Sequence, residues 1–192
     1  MASPEGTHSF SDREHASAFR QDAAVGPTPV DRADMGRASG RVAGDEAPEV
    51  GLLATAAANA MLVRRQAERF NARDFDAYES VLAEDVEVVL VPFETMLHGS
   101  RTARDHVVSH AVAFPDTRIE VKRVLADEAG ATVEFVAHGT HTGPLLTPMG
   151  TIEPTGRAAD VYYCFVYEIE QGRIHCIHQY FDATTMMRQL GY

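Results

Sequence analysis

The sequence predicts an α+β domain in which three N-terminal helices pack on a curved antiparallel sheet. Three observations carry this. Apolar residues recur at helical spacing between Leu53 and Phe114, β-branched and aromatic residues crowd the chain from Thr117 onward, and short turns such as DEAG and QG join those later runs in pairs. Helices followed by consecutive hairpins give one helical layer against one sheet face.

The segment LLATAAANAMLVRRQAERFNARDF puts Leu53, Ala57, Ala60, Met61, Val63, Ala67 and Phe70 on one broad face, which predicts a long first helix with that face inward. Asp74 is the expected cap of a short second helix carrying Phe75, Tyr78, Val81 and Leu82. DVEVVLVPF then reads as a strand ended by Pro92. Ser100 is the expected cap of a third helix, with Ala103, Val107, Ala111 and Phe114 inward and Pro115 as its stop. Strands are expected from Thr117 to Leu125, Ala131 to His141, Ala158 to Glu170 and Arg173 to Asp182, and a short helix from Thr184 to Leu190 closes the chain.

Residues 1–50 are rich in Ala, Gly, Asp, Glu, Arg and Pro, hold only Phe10 and Phe19 as aromatics, and show no period. So little apolar surface does not offset the entropy of ordering, which predicts a disordered leader before a domain at residues 51–192. The formal charge of −11 and a pI near 5.2 argue against a phosphate backbone as partner, so no nucleic acid is expected. No window approaches eighteen apolar residues and the N-terminal segment is polar throughout, so the expectation is a cytoplasmic protein with no membrane partner. Cys164 and Cys176 lie inside apolar strand patterns and form no CxxC, which reads as buried thiols.

The last hairpin places the candidate chemistry. With Gln171 and Gly172 as a two-residue loop, Glu170 faces Arg173, and an unbroken register then pairs Ile169 with Ile174, Tyr167 with Cys176, Phe165 with His178, Tyr163 with Tyr180 and Val161 with Asp182. That face is nearly all apolar or aromatic, so Asp182 and His178 are expected inside a pocket. A carboxylate there must be hydrogen-bonded, neutralised or used. Capping the helix that starts near Thr184 is its alternative role.

Nine histidines raise the question of a metal. His138 with His141, and His175 with His178, are three apart on strands and point to opposite faces. His106 and His110 share a helical face but lack the Glu of HExxH and a third ligand, so no metal is expected. No GxSxG, P-loop or GxGxxG is present, which removes the usual marks of covalent hydrolases and nucleotide binders.

GTHTG from Gly139, PTGR from Pro154, FPD from Phe114 and QGRIHCIHQYFD leading into MMRQLGY together resemble the SnoaL-like polyketide cyclases, over about residues 55–192. The resemblance implies a nuclear transport factor 2-like cone and a cofactor-independent intramolecular aldol closure of a polyketide-like substrate. It also implies an acid/base aspartate near the end of the last strand, and Asp182 is the matching position. His178 stands where relatives often carry Trp.

The expectation is therefore a lyase or isomerase of the polyketide cyclase type, with Asp182 and His178 catalytic and Tyr180, Tyr163, Phe165, His141 and Phe114 binding a hydrophobic small molecule. Burial is expected to raise the Asp182 pKa. Two alternatives remain. One is an epoxide hydrolase or ketosteroid-isomerase-like enzyme on the same fold, the former needing an Arg between acids, with Arg123 and Asp160 as nearest candidates. The other is a non-catalytic ligand-binding or dimerisation module. A homo-oligomer, dimer or tetramer, is expected through an outer sheet patch of Tyr162, Cys164, Val166, Ile177 and Phe181.

Overall fold

The computed structural model describes residues 47–192, with side chains from Gly51; the expected leader lies outside the described residues up to residue 46. Helix α1, Ala47–Asn71, packs on the sheet through Asn59, Val63, Gln66 and Phe70, all buried, whereas Leu53 and Met61 are 72% and 52% exposed. Ala57 is exposed as well, so the expected face is only half right. The buried stripe contains two polar residues, which an apolar template passes over. One of them, Asn59, donates from Nδ2 to the Asp127 carbonyl at 2.8 Å.

Helix α2, Phe75–Glu79, is capped by Asp74, whose Oδ1 accepts the Ala77 N–H at 3.0 Å. Strand β1, Leu82–Leu90, passes through a 3₁₀ turn at Val91–Phe93 into β2, Thr95–His98, an antiparallel partner too short to carry a strand pattern in the sequence. Helix α3, Ser100–Ala113, is capped by Gly99 at φ 87°, not by Ser100. Ser100 sits inside the first turn and donates from Oγ to Glu79 at 3.0 Å, which ties α3 to α2.

The remaining elements are β3 (Arg118–Ala126), β4 (Gly130–Thr140), β5 (Leu145–Thr147), β6 (Gly150–Ile152), β7 (Ala158–Glu170), β8 (Arg173–Phe181) and α4 (Ala183–Leu190). Six strands form one curved sheet in the order β2-β1-β8-β7-β4-β3, while β5 and β6 make a separate hairpin. The sheet is mixed, because β1 runs parallel to β8. Pure antiparallel pairing was expected from adjacent hairpins, but β1 and β8 are joined by a long crossover that leaves their relative direction free of turn geometry. The two expected hairpins form. Asp127 Oδ1 accepts the N–H groups of Ala129 and Gly130 at the β3–β4 turn, and Gln171 and Gly172 both take positive φ at the β7–β8 turn.

The β7–β8 register begins as the turn dictates, Glu170 with Arg173 and Ile169 with Ile174, and then slips by one at a bulge. Glu168 pairs with Cys176, Tyr167 with Ile177, Phe165 with Gln179 and Tyr163 with Phe181. His175 is the extra residue, and one extra residue reverses every later side chain of β8. Ile177 and Gln179 therefore face the core, at 1% and 5% exposure, and His178 and Tyr180 face outward. This corrects the expected pairing of His178, Tyr180 and Asp182 with the inner aromatics. It also removes Ile177 and Phe181 from the outer patch, where Tyr162 and Val166 are exposed as expected. Cys176 is buried and Cys164 half-buried, both free. No helix among the described residues is long and apolar enough to cross a membrane.

Candidate active site

Helices α1, α2 and α3 and the inner faces of β3, β4, β7 and β8 surround a partly open cavity of ≈ 100 Å³. Its walls are mainly apolar and aromatic. Phe135 stacks on Tyr163 with centroids 5.1 Å apart and planes 9° apart, and Phe165 meets Phe135 edge-on at 4.8 Å, so one wall is built of interlocked aromatic rings. Among the described residues that line it, none is Asp, Glu, Lys or Arg.

The basic groups of the cavity are two imidazoles. His106 and His110 lie one helical turn apart on α3 with ring centroids 4.6 Å apart. His110 Nδ1 is 3.2 Å from the His106 carbonyl. A carbonyl only accepts, so Nδ1 carries the proton and Nε2 keeps its lone pair. Burial and the neighbouring His110 push the His106 pKa down to about 3, against a hydrogen bond to the Gln179 side chain that acts the other way. Burial also lowers His110. Both rings are therefore neutral at pH 7, and His110 presents an unprotonated nitrogen. The pair also lines a side cavity beneath β5, so it stands in the wall between two spaces.

The polar remainder consists of neutral hydrogen-bonding groups. Gln66 is 2% exposed, lines the cavity, and its Nε2 has no hydrogen-bond partner among the described residues. Leaving such an amide unpaired costs about 1–3 kcal/mol, which a ligand oxygen would recover. Burial raises the phenol pKa values of Tyr78, Tyr163 and Tyr167, so all three stay protonated.

The sequence motifs explain how this helix is held. The N–H groups of Thr142 and Gly143 both donate to the Ala113 carbonyl at 3.0 Å, which fixes the end of α3. A Cβ on Gly143 would lie 2.1 Å from the Val112 carbonyl oxygen, so GTHTG needs glycine there. Asp116 of FPD accepts the Thr140 N–H and the Thr140 hydroxyl, both at 2.7 Å, and these bonds lower its pKa. The backbone of His141 joins this turn to PTGR: its N–H donates to the Arg157 carbonyl and its carbonyl accepts the Gly156 N–H. Gln189 of QLG then grips both backbone groups of Asp160 on β7, and the Arg157 guanidinium packs over Gly191.

Of the expected site residues, Tyr163, Phe165 and Phe114 line the cavity. His141 is fully buried behind it, stacked on Phe114 at 5.1 Å, with Nδ1 accepting from the Thr155 N–H at 3.3 Å and Nε2 unpartnered. Asp182, His178 and Tyr180 are outside. Asp182 is exposed and caps α4, taking the Thr185 N–H at 2.9 Å and the Thr185 hydroxyl at 2.6 Å. Those two hydrogen bonds lower its pKa, where burial was expected to raise it. Tyr180 and Asp182 instead line a groove on the outer sheet face, with Arg123 at its edge. Asp160 is exposed and bonded to His138 at 2.7 Å, so Arg123 and Asp160 bring no Arg–acid pair into the cavity. His106 and His110 were noted in the sequence only as a possible metal pair, and Gln66 escaped notice as a polar residue in an apolar stripe.

A curved mixed sheet with helices packed on one face around an apolar cavity defines a nuclear transport factor 2-like protein. The model of the SnoaL-like polyketide cyclases matches residues 60–190, and the chain belongs to that family. Among solved structures, a protein from Jannaschia sp. CCS1 assigned to the SnoaL-like polyketide cyclases is 17% identical, with a TM-score of 0.64 over 77% of this chain and 96% of its own. A protein of unknown function from Burkholderia pseudomallei K96243, described as NTF2-like, is 20% identical, with a TM-score of 0.57 over 70% of this chain and 98% of its own. An LEH-like epoxide hydrolase from M. tuberculosis is 20% identical, with a TM-score of 0.55 over 70% of this chain and 90% of its own. At these identities the likenesses establish the fold alone. No curated protein matches the chain by sequence. The family places the chain among small-molecule cyclases and isomerases.

Proposed function

We propose that the chain is a cofactor-independent cyclase that closes a ring within a neutral, polyketide-like substrate, using His110 as base and then acid. One observation carries this reading: the cavity holds two imidazoles kept neutral by burial and, among the described residues, no other basic or charged group. His110 Nε2 takes a proton from the carbon beside a carbonyl, the enolate carbon attacks an internal carbonyl, and the proton returns to the new alkoxide. Atoms balance without a co-reactant. Gln66 and the phenols of Tyr78, Tyr163 and Tyr167 donate to the oxygens on which negative charge develops. An anionic substrate would find no cation to pair with, which favours neutral polyketones with several carbonyl or hydroxyl oxygens.

Incubation of the purified chain with neutral polyketones in ordinary and in deuterated water tests this. In ordinary water, ring closure to a product isomeric with the substrate is the expected result; in deuterated water, deuterium exchange at the activated carbon of recovered substrate would report the enolate. Exchange without closure would make the chain an isomerase. Tight binding with neither would make it a binding module.

A further inference from the structure

The outer face of the sheet carries a second constellation, used by neither the cavity nor the motif contacts. Cys176 and His178 stand two apart on β8 and share a face, and Glu168 lies opposite Cys176 on β7. The Cys176 sulfur, a His178 ring nitrogen and a Glu168 carboxylate oxygen all lie within 4.8 Å of one another. We propose that Glu168, Cys176 and His178 form a binding site for a divalent transition-metal ion, zinc foremost.

Zinc bonded to such donors at about 2.0–2.3 Å holds them roughly 3.3–3.8 Å apart in a tetrahedron. Movements of about an ångström, within side-chain rotation, close the set. Two ligands from one strand and a third from its neighbour rest on hydrogen-bonded backbone, which fixes their spacing before the ion arrives. The thiol and imidazole suit a borderline-soft ion and disfavour calcium or magnesium. The surroundings add negative charge: Glu87 on β1 pairs with Cys176 from the other side, and His98 holds that carboxylate at 3.6 Å. Burial, Glu168 and Glu87 all keep the thiol protonated in the metal-free protein. A cation among the same groups reverses the balance and stabilises the thiolate.

Titration of the metal-stripped, untagged full chain with zinc alone, and with cobalt(II) as a spectroscopic probe, tests the site. Saturable uptake of a single ion per chain is expected, with a thiolate-to-cobalt charge-transfer band. Cys176→Ser should abolish the band, His178→Ala and Glu168→Gln should each weaken zinc binding at least about tenfold, and Cys164→Ser should change neither. Failure to take up zinc, or affinity and band unchanged in His178→Ala and Glu168→Gln, would overturn the proposal. His178 is only half-buried, so its variant reports even if Cys176→Ser does not fold.

Discussion

His110 has one nitrogen committed to a backbone carbonyl and the other left unprotonated, while burial pushes the pKa of its partner His106 down to about 3. This has a sign for stability. Both imidazoles have lowered pKa values in the fold, so below the ordinary value of about 6.5 the unfolded chain binds more protons. Their contribution is complete above that pH and is lost as the pH falls through it, at up to about 1.4 kcal/mol per pH unit for each ring. Urea unfolding between about pH 7 and pH 5 should show this loss in the native chain and a smaller one in His106→Gln. An equal loss in both would remove the buried-neutral reading. Gln66 makes a separate case. Gln66→Met keeps the shape and removes the unpaired amide, so the free protein should melt at the same or a higher temperature while KM rises. The signal for these residues was present in the sequence only as spacing. His106 and His110 at one helical turn say that they share a face, but which wall that face lines is set by contacts distant in sequence.

At the scale of the element, β7 was fully legible and β8 only in part. The alternation of Val161, Tyr163, Phe165, Tyr167 and Ile169 identifies the inner face, and three of these residues carry aromatic rings of the cavity wall. The turn then determines the register as far as Ile174. Beyond it, IHCIHQYF reads plausibly in either phase, since Ile174 and Cys176 or Ile177 and Gln179 can each face inward, and a bulge at His175 leaves no compositional mark. That single residue moved Asp182 from the pocket to the cap of α4. Asp182→Ala should therefore lower the melting temperature, through loss of the bonds to Thr185, and leave turnover near the native rate. Thermal melting and initial rates on the same preparation check both halves, and a large fall in turnover with an unchanged melt would contradict them.

For the whole molecule, the α+β plan and the family were legible because GTHTG, PTGR, FPD and QLG are architectural. They interlock the ends of α3, β4, β7 and α4 and aim α3 at the cavity, so they identify the fold without marking the chemistry. Gly143→Ala should cost at least about 2 kcal/mol, because a methyl group there collides with backbone, and denaturant titration checks it. The mixed sheet and the β5–β6 hairpin were not legible, since no local turn specifies a parallel pair and strands this short carry little pattern. The central claim is that proton transfer belongs to α3 inside the cavity and not to the end of β8. The most direct measurement compares kcat on a cyclisable neutral polyketone for His110→Asn and Asp182→Asn, each with its fold confirmed. The account requires a fall of about a hundredfold or more for His110→Asn and a near-native rate for Asp182→Asn. The reverse pattern, with His110→Asn active and Asp182→Asn silent, would contradict it.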